Sequence, residues 1–388
     1  MRMSISKTIS GLKEKFTEFI KQHMRSLISC AVFVLMTTLL IVIYIISRQY
    51  PHFVYKYYTT GVFKIITFIP KAIARIWPFS FAEFFFVLFL IFFFTYTIIV
   101  IGKTIKALIL RRYRPLHRFA RYCTFILKTI CVLLSTFILF GGFNYNSLPL
   151  SEVAGYEIKA TDTELLAALC RLLEDKAAEN YIDATEVPLF DLLDEAENAY
   201  ANARENYEFL NNYTDFLSPP KPAVLSTGMC YLQLSGIYPI VYTESIVNYK
   251  APRATLPHTI CHELAHQMGF AREDEANYIA FIACVSSNRK EFVYSGYYAA
   301  FVYSMNALYQ YDNDRWLAVY EQTDPRIIDH MRQANEFWDS YTTPNDILGN
   351  ISESVNDAYL NSNNVSDGVH SYGRIVDLLI AELLQDYS

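Results

Sequence analysis

Three apolar runs dominate the first 143 residues of this 388-residue chain. "SLISCAVFVLMTTLLIVIYIIS" (Ser26–Ser47) carries no charge, nor does "FFFVLFLIFFFTYTIIVI" (Phe84–Ile101), and Tyr122–Phe143 carries only Lys128. About 20 apolar residues in a helix cover the ~30 Å of hydrocarbon in a bilayer. Lipid offers no partner to a backbone N–H or C=O, so such segments must satisfy their own hydrogen bonds as helices. Three transmembrane helices are therefore expected, at about 26–47, 84–101 and 122–143. A cleaved signal peptide fits poorly, because the first run is long and ends in Arg48 rather than a small-residue site.

Charge divides the chain in the same place. Residues 1–150 hold 19 Lys+Arg against 3 Asp+Glu, whereas residues 151–388 hold 14 against 36. Six basic residues precede the first run and seven lie between the second and third. The positive-inside rule puts both stretches in the cytoplasm and the acidic half outside. The basic cluster Arg111–Arg121, wedged between two spans, reads as a topology determinant that attracts anionic lipid, and no nucleic-acid partner is expected. The segment at about 52–79 mixes Tyr, Phe and Trp with spaced Lys and Arg, the composition of an amphipathic segment lying on the outer leaflet. Lys128 can snorkel to headgroups, and Glu83 sits at a boundary; both read as structural.

Beyond residue 150, Cys170, Cys230, Cys261 and Cys284 form no CxxC and read as small core residues. Apolar residues recur at helical spacing over Asp162–Leu173 and Leu189–Leu210, with Ala199, Ala203 and Tyr207 on one face. "SPPKP" (Ser218–Pro222) reads as a stiff connector. Two strand-like runs follow, about Ala223–Leu234 and Ile237–Asn248, parted by Ser235-Gly236. Past Pro252 the pattern is helical to the end, interrupted near "TTPND" and "NSNNVSDG".

The chemistry concentrates in "TICHELAHQMGFAREDEANYIA" (Thr259–Ala280). Pro257 suits a first helical turn and Gly269 a stop, so a helix Pro257–Met268 carries His262 and His266 on one face. Both imidazoles can then reach one ion. A catalytic zinc takes three protein ligands and keeps one position open. Glu263, beside the first histidine, is placed to take a proton from an attacking water and pass it to a leaving amine. His258 lies two turns from His266, too far to share the ion, and reads as structural or supporting. For a third ligand the restarting helix offers Glu273, Asp274 and Glu275.

This stretch resembles the gluzincin class of metallopeptidases, particularly membrane-associated ones whose second helix carries Glu-x-x-Ala-Asp. The resemblance puts the third ligand at Glu273, with Glu275 as the alternative. It puts Asn277 where the class has an Asp that supports a ligand imidazole. Arg272 occupies the position at which a metzincin would have its third histidine, which disfavours that class. Most of the chain is also similar to a little-characterised bacterial family of membrane-anchored HExxH proteins, through "PFSFAE" (Pro78–Glu83), "HELAHQMGFAREDEAN" and "SYGRIVDLLIAELL" (Ser371–Leu384). The last segment makes Tyr372, Arg374 and His370 candidates for stabilising a tetrahedral oxyanion.

The expected architecture is a membrane anchor over 1–150, a helical subdomain over 151–217 and a zincin-like metallopeptidase domain over 223–388. In fold class this is a membrane-anchored chain whose three N-terminal transmembrane helices precede an exported, mainly helical α+β domain with a small sheet. The expected activity is zinc-dependent hydrolysis of a peptide or protein substrate outside a bacterial cytoplasmic membrane, with Zn2+ as cofactor and the lipid bilayer as a further partner. The gluzincin resemblance further implies an extended peptide bound along an edge strand, for which the run Gly236–Asn248 is the natural candidate. The alternative is a non-catalytic receptor or scaffold holding a structural zinc.

Overall fold

A computed structural model describes residues 2–110, 115–159, 162–183, 187–342 and 373–384. It is mostly helical, with one small sheet. Three helices are long and apolar enough to cross a membrane: Met24–Ser47, Phe81–Ile109 and Arg118–Phe140. Polar side chains link the first to the third. Thr37 Oγ1 donates to the Cys131 carbonyl at 3.3 Å and lies 3.0 Å from Ser135 Oγ. Lys128 Nζ donates to Ser29 Oγ at 2.9 Å, so its charge ends on a neighbouring helix.

The chain divides into two compact units, Met1–Gln49 with Phe84–Leu139, and Tyr50–Glu83 with Phe140–Ser388. This differs from an anchor running unbroken over 1–150, because Tyr50–Glu83 belongs with the C-terminal half. Long-range polar contacts are the reason. Thr59 Oγ1 donates to Asn144 Oδ1 at 2.9 Å and to Ser147 Oγ at 3.0 Å. In the helix Phe63–Ile76, Phe63, Thr67 and Lys71 are buried, and Lys71 Nζ donates to the Gln267 carbonyl at 2.7 Å. The opposite face of that helix exposes Ile65, Ile69, Ile73 and Ile76.

The expected helices of the C-terminal half form. Thr163–Glu179 starts where Asp162 Oδ1 accepts from Leu165 N at 2.9 Å, satisfying one of the free amides of the first turn. It buries Leu166, Leu169, Cys170 and Leu173 along one face. Leu189–Asn206 buries Ala196, Ala199, Tyr200 and Ala203, again at helical spacing. Leu256–Met268, Glu273–Val285 and Lys290–Tyr311 share this core. Cys170, Cys230, Cys261 and Cys284 are all buried free thiols.

The sheet is smaller than its sequence pattern suggested. β1 (Lys221–Pro222), β2 (Gly236–Ile237) and β3 (Ile246–Val247) are ordered β1-β3-β2, with β1 parallel and β2 antiparallel to β3. "SPPKP" is thus partly strand. Lys221 N donates to the Ser245 carbonyl just before β3 and Ala223 N to the Val247 carbonyl, so the intervening Pro222 nitrogen faces away, where a missing N–H costs nothing. Much of the run 223–234 is a helix, Ser226–Tyr231, rather than a strand. The Glu83 carboxylate accepts from Val224 N and Leu225 N just before it, supplying the acceptors a helix start needs. The run 237–248 is broken by a turn in which Thr243 has φ 53°. A buried ion pair, Lys221 Nζ to Glu244 Oε1 at 2.7 Å, ties this turn to β1.

Candidate metal centre

The helix Leu256–Met268 contains the HELAH sequence, and its ends follow from local chemistry. Pro257 sits in the first turn, and Gly269 terminates it at φ 113°, a left-handed conformation that favours glycine. Phe270 N then donates back to the Ala265 carbonyl at 3.2 Å. The rest of the helix is clamped from behind. Gln267 Oε1 accepts from Ser218 N at 2.9 Å, and its Nε2 donates to Ser218 O and Ser245 Oγ. Ser245 Oγ donates to the Glu263 carbonyl at 2.8 Å, and Tyr200 Oη to the Cys261 carbonyl at 2.6 Å. Lys71 satisfies one of the free carbonyls of the last turn. Burial pushes the Lys71 ammonium down to about 7.

After the reversal at Gly269, the helix Glu273–Val285 packs beside the first and returns a carboxylate to it. Glu273 Oε2 lies 3.1 Å from His262 Nε2 and 3.6 Å from His266 Nε2, and the two imidazole nitrogens are 3.1 Å apart. Tetrahedral bonds of about 2.0–2.1 Å put ligand atoms roughly 3.3–3.4 Å apart, so this triangle has the size of a zinc face. His266 Nδ1 lies 2.7 Å from the Phe270 carbonyl. A proton donated there leaves Nε2 with its lone pair toward the cluster. Phe270 is itself fixed, buried and stacked on Tyr213 at 4.1 Å. The donor set of two imidazoles and one carboxylate fits zinc.

The same proximity sets the charges of the cluster. Burial alone would lower the His266 imidazole, but the Glu273 carboxylate outweighs it and raises the group to about 9. Burial would raise Glu273, and the two imidazoles instead hold it far below the usual carboxylate range. Glu263 is buried beside them and is pushed up to about 7, burial outweighing the lowering by His262 and His266. Its Oε2 and His262 Nδ1 are buried without a hydrogen-bond partner among the described residues. A carboxyl that titrates near neutrality is suited to moving a proton.

The two candidate third ligands have different surroundings. Glu275 Oε1 accepts from Leu150 N at 2.9 Å and pairs with Arg272 Nη1 at 2.8 Å. Arg272 also donates to the carbonyls of Tyr145, Ser147 and Leu148, so this pair fastens the segment leaving the third apolar helix. Glu273 alone joins the histidines. Asn277 does not buttress an imidazole ligand: its Oδ1 accepts from Tyr303 Oη at 3.1 Å, and its carbonyl from His258 Nε2 at 3.1 Å. His258 therefore links the two helices through Asn277. Of the oxyanion candidates, His370, Tyr372 and the Arg374 side chain lie outside the described residues; the helix Arg374–Leu383 is seen as backbone and core.

A family model described as "Protein of unknown function (DUF3810)" matches residues 58–380. The chain belongs to that family. No curated protein and no solved structure gives a significant match. The DUF3810 match takes in the helix Phe63–Ile76, the sheet and both helices of the cluster, so the contacts above all lie within it.

Two contributors went unnoticed in the sequence. A Cβ built on Gly236 would fall 2.3 Å from Glu263 Oε1. Only a residue without a side chain lets β2 pass this close to the carboxylate. Tyr238, two residues on, stacks on His266 with ring centroids 6.0 Å apart. A Gly-x-Tyr in the strand before an HExxH helix was the available signal. Gly236→Ala should leave metal content unchanged while displacing Glu263 and lowering any hydrolytic rate by at least about 10-fold, since small misplacements of a catalytic group are costly. Metal analysis and rate measurement on the same preparation check this; an unchanged rate would show that Glu263 tolerates displacement.

Proposed function

We propose that this protein is a zinc-dependent peptidase, anchored by three membrane helices and acting outside a bacterial cytoplasmic membrane. The observation that carries the reading is the convergence of His262, His266 and Glu273, from two helices joined by a short reversal, beside a buried Glu263. Zinc held there would polarise a peptide carbonyl and make a water molecule more acidic. Glu263 would take the proton from the attacking water and hand it to the departing amine as the C–N bond breaks. The Phe270 carbonyl would hold His266 in the ligating tautomer. β2 is an edge strand directly beside Glu263, a place where an extended peptide could add to the sheet. In this reading the C-terminal unit is zincin-like.

The second reading, a scaffold with a structural zinc, needs a fourth protein ligand. Among the described residues, the metal-binding cluster contains three. A broad peptide library incubated with the purified full-length chain separates the two. The enzyme reading expects cleavage that stops on chelation and returns with zinc. A zinc-loaded but inert protein would support the scaffold.

The basic segments before the first span and between the second and third argue for a cytoplasmic N-terminus and an exported metal centre. The exposed row Ile65, Ile69, Ile73 and Ile76 suits contact with the outer leaflet. In a Cys123→Ser background, Glu205→Cys should react with an impermeant thiol reagent in intact cells and Lys103→Cys should not. Both positions are exposed in the structure. The reverse labelling pattern would put the metal centre in the cytoplasm.

A further inference from the structure

We propose that Tyr238 is the hydrogen-bond donor to the oxyanion that forms when a peptide carbonyl is attacked at this centre. The inference rests on the zinc-peptidase reading and supplies a group that it lacks. Attack by water on a carbonyl carbon moves the C=O π electrons onto oxygen, and the developing charge needs a donor already in place. Glu263 cannot fill that role, since it handles the proton of the water.

Tyr238 lies beside the cluster. Its ring lies against His266, nearly parallel at 22°. It follows Gly236 by two residues, so the same stretch of backbone passes Glu263 at one point and His266 at the next. Its Oη is sealed from solvent and, among the described residues, has no hydrogen-bond partner. Buried hydroxyls in folded proteins are normally paired, so an unpaired one beside a reactive cluster needs a reason. An acceptor that arrives with the substrate provides it. Two other tyrosine hydroxyls beside this helix pair are committed: Tyr200 Oη to the Cys261 carbonyl and Tyr303 Oη to Asn277 Oδ1. Tyr238 also directly follows β2, the strand proposed to receive substrate, whose backbone would bring the scissile carbonyl alongside.

The test uses the full-length chain loaded with cobalt(II) in place of zinc, and inorganic phosphate as a tetrahedral oxyanion. Binding is read from the visible spectrum of the metal. Tyr238→Phe keeps the ring on His266 and deletes only the hydroxyl, so cobalt uptake and thermal midpoint should stay near wild type. Phosphate should bind at least about 10-fold more weakly, and kcat on a cleaved library peptide should fall about 10²–10³-fold with little change in KM. Equal phosphate affinity in the two proteins, with cobalt bound in both, would overturn the role of Tyr238 and leave the metal centre standing. Failure of the wild type to take up cobalt would overturn the metal centre and this role together.

Discussion

Glu263→Gln should keep the metal and the fold while hydrolysis falls by roughly 10³-fold or more, the upper part of the range for loss of a positioned proton carrier. The substitution preserves size, so Gly236 still passes over the side chain and Ser245 still donates to its backbone carbonyl. Only the basicity goes. Glu263 is buried, and that burial places its carboxyl near neutrality, where it can both accept and return a proton. The neutral amide also removes the cost of burying a carboxylate there, the burial that raises the Glu263 pKa, so the variant is expected to fold. Peptide cleavage and metal content measured together check the prediction. Cleavage near the wild-type rate would take the proton-transfer role from Glu263.

Glu273→Ala and Glu275→Ala should fail in opposite ways. Glu273 contributes the one carboxylate oxygen near both imidazoles. Removing a group that merely supports a ligand typically weakens metal binding 10–100-fold, so losing the ligand itself should cost at least about 100-fold. The protein should remain folded, because Glu273 is partly exposed and, among the described residues, its carboxylate pairs only with His262 and His266. Glu275 is different. Its removal leaves Arg272 mostly buried without its carboxylate and takes the acceptor from Leu150 N, a change that typically costs about 3–5 kcal/mol for a buried pair. Glu275→Ala should therefore unfold at lower temperature and yet bind metal when folded. Metal titration and thermal unfolding of both variants distinguish the cases. Metal loss confined to the Glu275 variant would contradict the assignment.

The HELAH helix was legible because its signals are local. Pro257 and Gly269 mark its ends, and the four-residue spacing of His262 and His266 needs no tertiary information. The choice between Glu273 and Glu275 was not local. What sets their surroundings apart is Leu150, 125 residues before Glu275 in the chain, whose amide donates to the Glu275 carboxylate. The same reason explains the strand run that became the helix Ser226–Tyr231: the acceptors at its start come from Glu83. The aromatic and basic composition of 52–79 suggested a surface segment, and one face of Phe63–Ile76 is indeed apolar and exposed. Its attachment to the C-terminal unit depends on Lys71 reaching a carbonyl 196 residues away, which no periodicity reveals. A fragment beginning at residue 151 would lose that helix, so the full chain is the right material for metal work.

That material permits the most direct measurement: zinc content, by elemental mass spectrometry, of the full-length protein purified without chelators and dialysed against trace metal. The account predicts zinc equimolar with protein in the wild type. A wild-type chain that is folded and zinc-free after that dialysis would contradict it, because the triangle of His262, His266 and Glu273 would then be an ion-paired cluster and not a metal site.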